Sequence, residues 1–272
     1  MAPKAVLTTG ANSGIGLETV LEVARRGHRS IGSVRSEAKA EVVSQAAAEA
    51  GVEVETILMD VADADSCEAA LEGLELYGLV NNAGYTNTGA IEDVDDEEAR
   101  RQLETMLIAP MRLTRLALPH MRAAGEGRVI NVSSIYGRTT TPLTGWYQAA
   151  KHGLEGVSDA LRLEVASAGI KVVLVEPGGF KTGIWEEMAA DVAGHEGSPF
   201  ESSYQRSLSL TRITQPVMGH PRQCARVIAG ALTTRFPRAR YLVGYDAQAL
   251  ALMDQVTPTS IKDRVTRLMM GL

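Results

Sequence analysis

Along this chain short, β-branched apolar runs alternate with longer stretches whose apolar residues recur every three or four positions. Runs of the first kind read as strands: AVLTT at 5–9, RSIGSV at 29–34, VEVETILM at 52–59, YGLVNN at 77–82, GRVINVS at 127–133, IKVVLVE at 170–176 and RYLVG at 240–244. The longer stretches predict helices at 15–26, 37–50, 65–75, 96–122, 146–168 and 221–235. Strand and helix in strict alternation is the pattern of βαβ units, in which helices cover both faces of a parallel sheet. The expectation is an α/β protein with a seven-stranded, mostly parallel sheet.

The start of the fourth helix is marked by Asp95 as N-cap with Glu98 three residues on. The EDVDDEE run there is explained by acids gathering at the positive end of a helix dipole, without invoking a metal. No repeat, low-complexity segment or Pro/Ser-rich linker divides the chain, so residues 1–272 are expected to form one domain. The rhythm breaks only at 183–220, where Trp185, Met188, Phe200, Tyr204 and Met218 lie among Gly, Ser and Pro. An insertion of this length after the sixth strand is expected to be a substrate lid, most of its large side chains packing it onto the body.

Composition narrows the partners. Residues are 45% apolar and 22% charged, as in ordinary globular proteins. The net charge of −6 gives no basic excess for a phosphate backbone, so nucleic acid is not an expected partner. Cys67 and Cys224 stand far apart with no CxxC or His cluster, which points to reduced thiols and no metal site. No stretch approaches the length of a membrane span, and the first ten residues lack a signal-peptide pattern. The expectation is a cytoplasmic protein with no membrane partner.

Candidate chemistry begins where the first strand ends, in Thr9-Gly10-Ala11-Asn12-Ser13-Gly14-Ile15-Gly16. Glycines at a strand-to-helix turn let the backbone approach a pyrophosphate, which the helix N-terminus then attracts. Asn81-Asn82-Ala83-Gly84 follows the fourth strand, Ser134 the fifth, and Pro177-Gly178-Gly179-Phe180-Lys181-Thr182 the sixth; Tyr147 and Lys151 open the helix between. All fall at carboxyl ends of strands or just beyond, the edge where open parallel sheets bind ligands. In this order and spacing they resemble the short-chain dehydrogenase/reductase family, in its branch marked by TGxxxGxG, NNAG, YxxxK and PGxxxT. The resemblance is close over residues 5 to 182 and looser at 240–244, and it implies a single Rossmann-type doubly wound domain.

Residue types alone already sketch a mechanism. Moving a hydride between a nicotinamide and a carbonyl carbon requires a proton at the oxygen, which a phenol can supply. Lys151 lies on the helix face of Tyr147, where its charge would favour the phenolate. For an isolated pair an exposed amphipathic face would be the better account; Ser134 and the glycine turn argue against it. The resemblance implies that Ser134, Tyr147 and Lys151 are catalytic, Ser134 binding the substrate oxygen. Strand alternation turns Ser133 the other way, into a structural role. His152, about 100° around the helix from Lys151, is assigned to packing or solvent.

Cofactor choice is set at the end of the second strand, where an acid would bind the ribose hydroxyls of NAD. The sequence there is Ser33-Val34-Arg35-Ser36; Arg35 suits the 2′-phosphate of NADP, with Glu37 one turn on as the competing contact to a ribose. NADP(H) is therefore favoured over NAD(H). The resemblance implies a cofactor site of Gly10, Asn12, Ser13, Gly14, Ile15, Gly16, Arg35, Asp60, Val61, Asn81, Ala83, Gly84, Tyr147, Lys151, Pro177, Gly178 and Thr182, with Asp60 toward the adenine and Thr182 toward the carboxamide. It also implies a homodimer or homotetramer paired through the helices at 96–122 and 146–168.

One position departs from the family. In LETMLIAPMRLTRLALPHMR, Met106 stands where relatives carry an Asn that holds a proton-relay water, and a thioether cannot replace an amide there. The expected function is NADP-dependent oxidoreduction of a secondary alcohol and ketone pair, with the apolar lid suiting a medium or large apolar substrate. Met106 keeps a weakly active or non-catalytic NADP-binding scaffold as the alternative. A nucleotide-sugar dehydratase or epimerase would need more chain than the 90 residues after Thr182.

Overall fold

The computed structural model describes residues 3–272. Seven strands, β1 (Ala5–Thr9), β2 (Arg29–Val34), β3 (Glu55–Leu58), β4 (Gly78–Asn81), β5 (Gly127–Val132), β6 (Ile170–Pro177) and β7 (Arg240–Val243), form one sheet in the order β3-β2-β1-β4-β5-β6-β7. Every pairing is parallel, so "mostly parallel" is corrected to wholly parallel. Alternate strand residues serve opposite faces, as the pleat requires. Leu7, Leu79, Val129 and Val172 face one core cluster with Leu113, Ala117 and Met121. Val6, Val80, Ile130 and Val173 face the other with Cys224, Ile228 and Leu232.

The helices that close these faces are α1 (Gly14–Arg25), α2 (Glu37–Ala50), α3 (Ala64–Leu71), α4 (Asp96–Leu103), α5 (Ala109–Ala124), α6 (Gly145–Glu164) and α9 (Pro221–Thr233). Asp95 caps α4 by accepting from the Glu98 amide at 2.8 Å, as the acidic run predicts. The strand order reverses between β1 and β4, opening the crevice where doubly wound sheets take their ligands. Both the glycine turn and NNAG lie at that reversal.

Three elements differ from the sequence expectation. The helix at 96–122 is interrupted by a π-helical turn at Glu104–Ile108, which carries Met106. The stretch 183–220 is largely helical, with α7 (Ile184–Ala193) and α8 (Glu201–Thr214). After β7 the chain forms two further helices, α10 (Tyr245–Val256) and α11 (Thr259–Met270), which the sequence reading did not place. Among the described residues no helix is long and apolar enough to cross a membrane.

Candidate active site

At the end of β1 the chain turns through Gly10 (φ +66°) and Gly14 (φ +53°), left-handed conformations that favour glycine. Gly16 is held by space instead: a Cβ there would lie 2.1 Å from the Gly10 carbonyl oxygen and 2.6 Å from Asn82 Nδ2. Ser13, the N-cap of α1, makes no side-chain capping bond, and no acid stands in the first turn. The positive end of α1 is left open above a cradle that any side chain at Gly16 would fill. That cradle fits the pyrophosphate of a dinucleotide. Thr182 leans over the same turn, its Cγ2 being 3.1 Å from a Cβ built on Gly14.

Two residues outside the expected site hold this turn in place. Thr9 Oγ1 accepts from the amides of Asn82 (3.0 Å) and Ala83 (2.9 Å), and Asn82 Nδ2 donates to the Thr9 carbonyl at 2.9 Å. Both stand inside the TG and NNAG motifs, which is the signal that marks them. Asn81, expected beside the cofactor, turns its side chain into the core and donates to Asn131 Oδ1 at 2.8 Å. As the residue that ends β4, it follows the pleat inward and ties β4 to β5. Asp60 accepts from the Ala62 amide at 3.0 Å in a strand-end turn, and Val61 packs into the core below it. Arg35, exposed at the end of β2, has no ion pair among the described residues.

On the other side of the crevice β5 delivers Ser134, and α6 delivers Tyr147 and Lys151. Ser133 and Ser134 face opposite ways, as alternation predicts. Ser133 Oγ points toward Gly137 and Glu155, while Ser134 Oγ accepts from the Tyr136 amide at 3.2 Å. Burial pushes the Tyr147 hydroxyl up to about 12, and the neighbouring Ser134 hydroxyl only partly opposes this. Burial lowers Lys151 to about 8, and the nearby Glu155 charge opposes that. The Lys151 ammonium donates to the Val132 carbonyl at 2.8 Å and stands 5.7 Å from the centre of the Tyr147 ring. His152 is exposed, its Nδ1 bonded to the Gln148 carbonyl at 2.9 Å. Met106 is buried and packs against Gly84, with Sδ 3.2 Å from a Cβ built there.

The C-terminal helices brace the crevice. Asp246, in the first turn of α10, accepts from the Gly179 amide at 2.5 Å, and Ala247 and Ala251 pack on Ile135 just after Ser134. Across the crevice mouth, α7 and α8 are fastened to the loop that follows NNAG. Thr88 donates its amide to Asp191 Oδ2 (2.8 Å), Tyr204 donates to Asp93 Oδ2 (2.7 Å) and accepts from the Ala90 amide (2.6 Å). The His195 ring stacks on Tyr204 with centroids 4.8 Å apart. Among the described residues no cluster of His, Cys, Asp or Glu is arranged to hold a metal.

The family model described as short chain dehydrogenase matches residues 4–193. The 3-ketodihydrosphingosine reductase of Bacteroides thetaiotaomicron is 32% identical, over 92% of this chain and 91% of that one. Human retinol dehydrogenase 5 is 33% identical, over 96% of this chain and 86% of that one. Among solved structures, an actinorhodin polyketide ketoreductase with NADPH superposes with a TM-score of 0.77 at 31% identity, over 89% of this chain and 95% of that one.

Proposed function

This chain belongs to the short-chain dehydrogenase/reductase family and is an oxidoreductase, and from that premise we propose that it reduces an apolar ketone or aldehyde, or oxidises the matching alcohol, with NADP(H). The observation that carries the reading is the meeting of Ser134, Tyr147 and Lys151 across the crevice from the glycine cradle. Relatives named for retinol and for 3-ketodihydrosphingosine support an apolar substrate of medium or large size. NADPH, when bound, supplies the hydride. Tyr147, held protonated by burial, gives its proton to the substrate oxygen while the Ser134 hydroxyl hydrogen-bonds that oxygen. Lys151 then returns a proton to the phenolate. Because its charge is lost as pH rises through about 8, carbonyl reduction is expected to decline on the alkaline side of that value.

The preference for NADP over NAD rests on Arg35 and on the lack of an acid at the end of β2. Loss of a charge-assisted bond to the 2′-phosphate amounts to about 1.5–3 kcal/mol, or roughly 10- to 100-fold. Arg35→Asp is expected to weaken NADPH binding by that factor and to spare or improve NADH binding. Calorimetry with each cofactor measures it, and equal wild-type affinities would sink the assignment.

Residues 183–220 act in this reading as a lid over cofactor and substrate, built of α7 and α8 and latched through Tyr204 and Asp93. Tyr204→Phe removes both latch bonds at a cost of about 1–3 kcal/mol. Amide exchange in 184–214 is then expected to quicken in the free protein, and NADPH to slow it in the wild type. Exchange insensitive to both would show that the segment is fixed structure.

Two copies pair through the helices at 96–122 and 146–168, the second of which exposes Val157 and Leu163. A second reading, a dinucleotide-binding scaffold with little catalysis, draws on the buried Met106. Turnover of any carbonyl compound by the wild type decides against it.

A further inference from the structure

Tyr147 is the third residue of α6, ahead of the backbone bond that the Gln148 amide gives to the Thr144 carbonyl at 3.0 Å. Amides in the first turn of a helix have no partner within it, so the segment before Gly145 decides where the Tyr147 hydroxyl stands. That segment is held from two sides. On the α6 side the buried Gln148 side chain accepts from the Thr141 amide at 3.1 Å and donates to the Thr141 carbonyl (2.7 Å) and Thr144 Oγ1 (2.6 Å). On the other side the Leu143 carbonyl accepts from the Gly89 amide at 2.8 Å, and Gly89 and Thr144 form a parallel bridge.

Gly89 is the middle of three residues whose amides alternate between partners. Thr88 donates its amide to Asp191 of α7 (2.8 Å), and its carbonyl accepts from His195 Nε2 (2.9 Å). The Ala90 amide donates to Tyr204 of α8 (2.6 Å), and between them the Gly89 amide goes to Leu143. Residues 88–90 are thus a strap, bonded to the lid helices on one side and to the approach to α6 on the other. It has no slack: Thr88 is wholly buried, and a Cβ on Gly89 would lie 2.3 Å from Val94 Cγ2.

Leu143 itself is strained. At φ +69° it is the one non-glycine residue in the left-handed region among the described residues, a conformation that an L side chain keeps only where its surroundings impose it. Its side chain is buried in the apolar cluster that also holds Ala90, Val192 of α7, Tyr204 of α8 and Met270 of α11. Freed from α7 and α8, the turn has an unstrained conformation to relax to, and the start of α6 loses one of its two anchors.

We propose that Leu143 is a positioning residue that sets Tyr147 according to the state of the lid. With α7 and α8 seated, the strap and the apolar cluster hold Leu143 in its left-handed turn and Tyr147 in place. When the lid lifts, the turn relaxes and the Tyr147 hydroxyl moves from its working position. Proton donation is thereby confined to the closed crevice, from which water is excluded.

The inference rests on the roles given above to Tyr147 and to residues 183–220, and its test tells the three apart. In full-length protein labelled with 13C at the tyrosine ζ carbon, the Tyr147 resonance is assigned by its loss in Tyr147→Phe. It is then followed by NMR, together with amide exchange at 141–148 and 184–214. Tyr204→Phe unlatches the lid, and Leu143→Ala removes the side chain that senses it. Tyr204→Phe is expected to displace the Tyr147 resonance and to quicken exchange roughly 10-fold at 141–148 as well as at 184–214. In a Leu143→Ala background the further change Tyr204→Phe should leave that resonance where Leu143→Ala alone puts it, because coupled sites are not additive. With NADPH and 1-tetralone as probe, each single variant should lower kcat about 10- to 100-fold, as a misplaced catalytic group does, at unaltered KM for NADPH. The double variant should fall no further, and Leu143→Met should restore the wild-type value.

Faster exchange at 184–214 with 141–148 and the Tyr147 resonance unchanged would overturn the proposal and leave the lid standing. Additive displacements in the double variant would also overturn it, making Leu143 a structural plug. Should Leu143→Ala fail to fold, the response of 141–148 and of the Tyr147 resonance to Tyr204→Phe decides. No change in either segment would overturn both the lid and the coupling. If the resonance follows the lid but the wild type turns over no carbonyl compound, the coupling stands and the oxidoreductase reading of the site fails.

Discussion

Tyr147→Phe is expected to lower carbonyl reduction by about 10² to 10⁴-fold, the range that a lost general acid produces, while NADPH affinity stays nearly intact. The substitution removes one hydroxyl and leaves the ring in its edge-on contact with Tyr136, whose centroid is 6.4 Å away. The helix and the glycine cradle should therefore be undisturbed, and the loss should fall on kcat. Single-turnover reduction of 1-tetralone, with cofactor binding followed by NADPH fluorescence, separates the two quantities. Retention of wild-type turnover by the Phe variant would remove Tyr147 from the mechanism. A wild type that binds NADPH but turns over no carbonyl compound in a broad screen would return the scaffold reading.

Gly16→Ala should act at the opposite wall, and on binding. A single methyl group at that position meets the Gly10 carbonyl oxygen at 2.1 Å and Asn82 Nδ2 at 2.6 Å, closer than van der Waals contact allows. Backbone must move, and the part that moves is the turn that would receive the pyrophosphate. NADPH affinity is expected to fall at least 10-fold, and the melting temperature to drop by several degrees, in line with the roughly 1–3 kcal/mol of an overpacked site. Calorimetry and thermal unfolding of the purified variant check both. An Ala variant with wild-type affinity would show that the cradle is not the cofactor's seat.

How far the site was legible differs from residue to residue. Ser134, Tyr147 and Lys151 could be proposed from the sequence because their spacing is local to one strand end and one helix face. Asn82 and Thr9 lay within quoted motifs, but their mutual hydrogen bonds cross from β4 to β1, a partnership that no spacing reveals. The inward direction of the Asn81 side chain could not be read from spacing, because it depends on which face of the sheet its strand end meets. The Tyr204–Asp93 latch joins residues 111 positions apart, and nothing in either neighbourhood announces it.

What the sequence determined by itself is the alternation of seven strands with covering helices, the carboxyl-edge location of the motifs, and the open helix start at the glycine turn. These follow from periodicity, cap chemistry and glycine conformation, which act over a few residues. Tertiary structure decided the rest. In α10 and α11 the most regular apolar repeats, Tyr245, Leu252, Met253 and Val256, then Ile261, Val265, Leu268 and Met269, are exposed, while the buried contacts are made by Ala247, Ala251 and Met270. An apolar period reveals a helix, but the neighbour available to pack against selects its buried face. The π-helical turn at Met106 and the burial of Lys151 on α6 likewise exist only once the sheet has brought β5, β6 and β7 beside that helix, because burial and charge coupling are properties of surroundings that sequence neighbours do not supply.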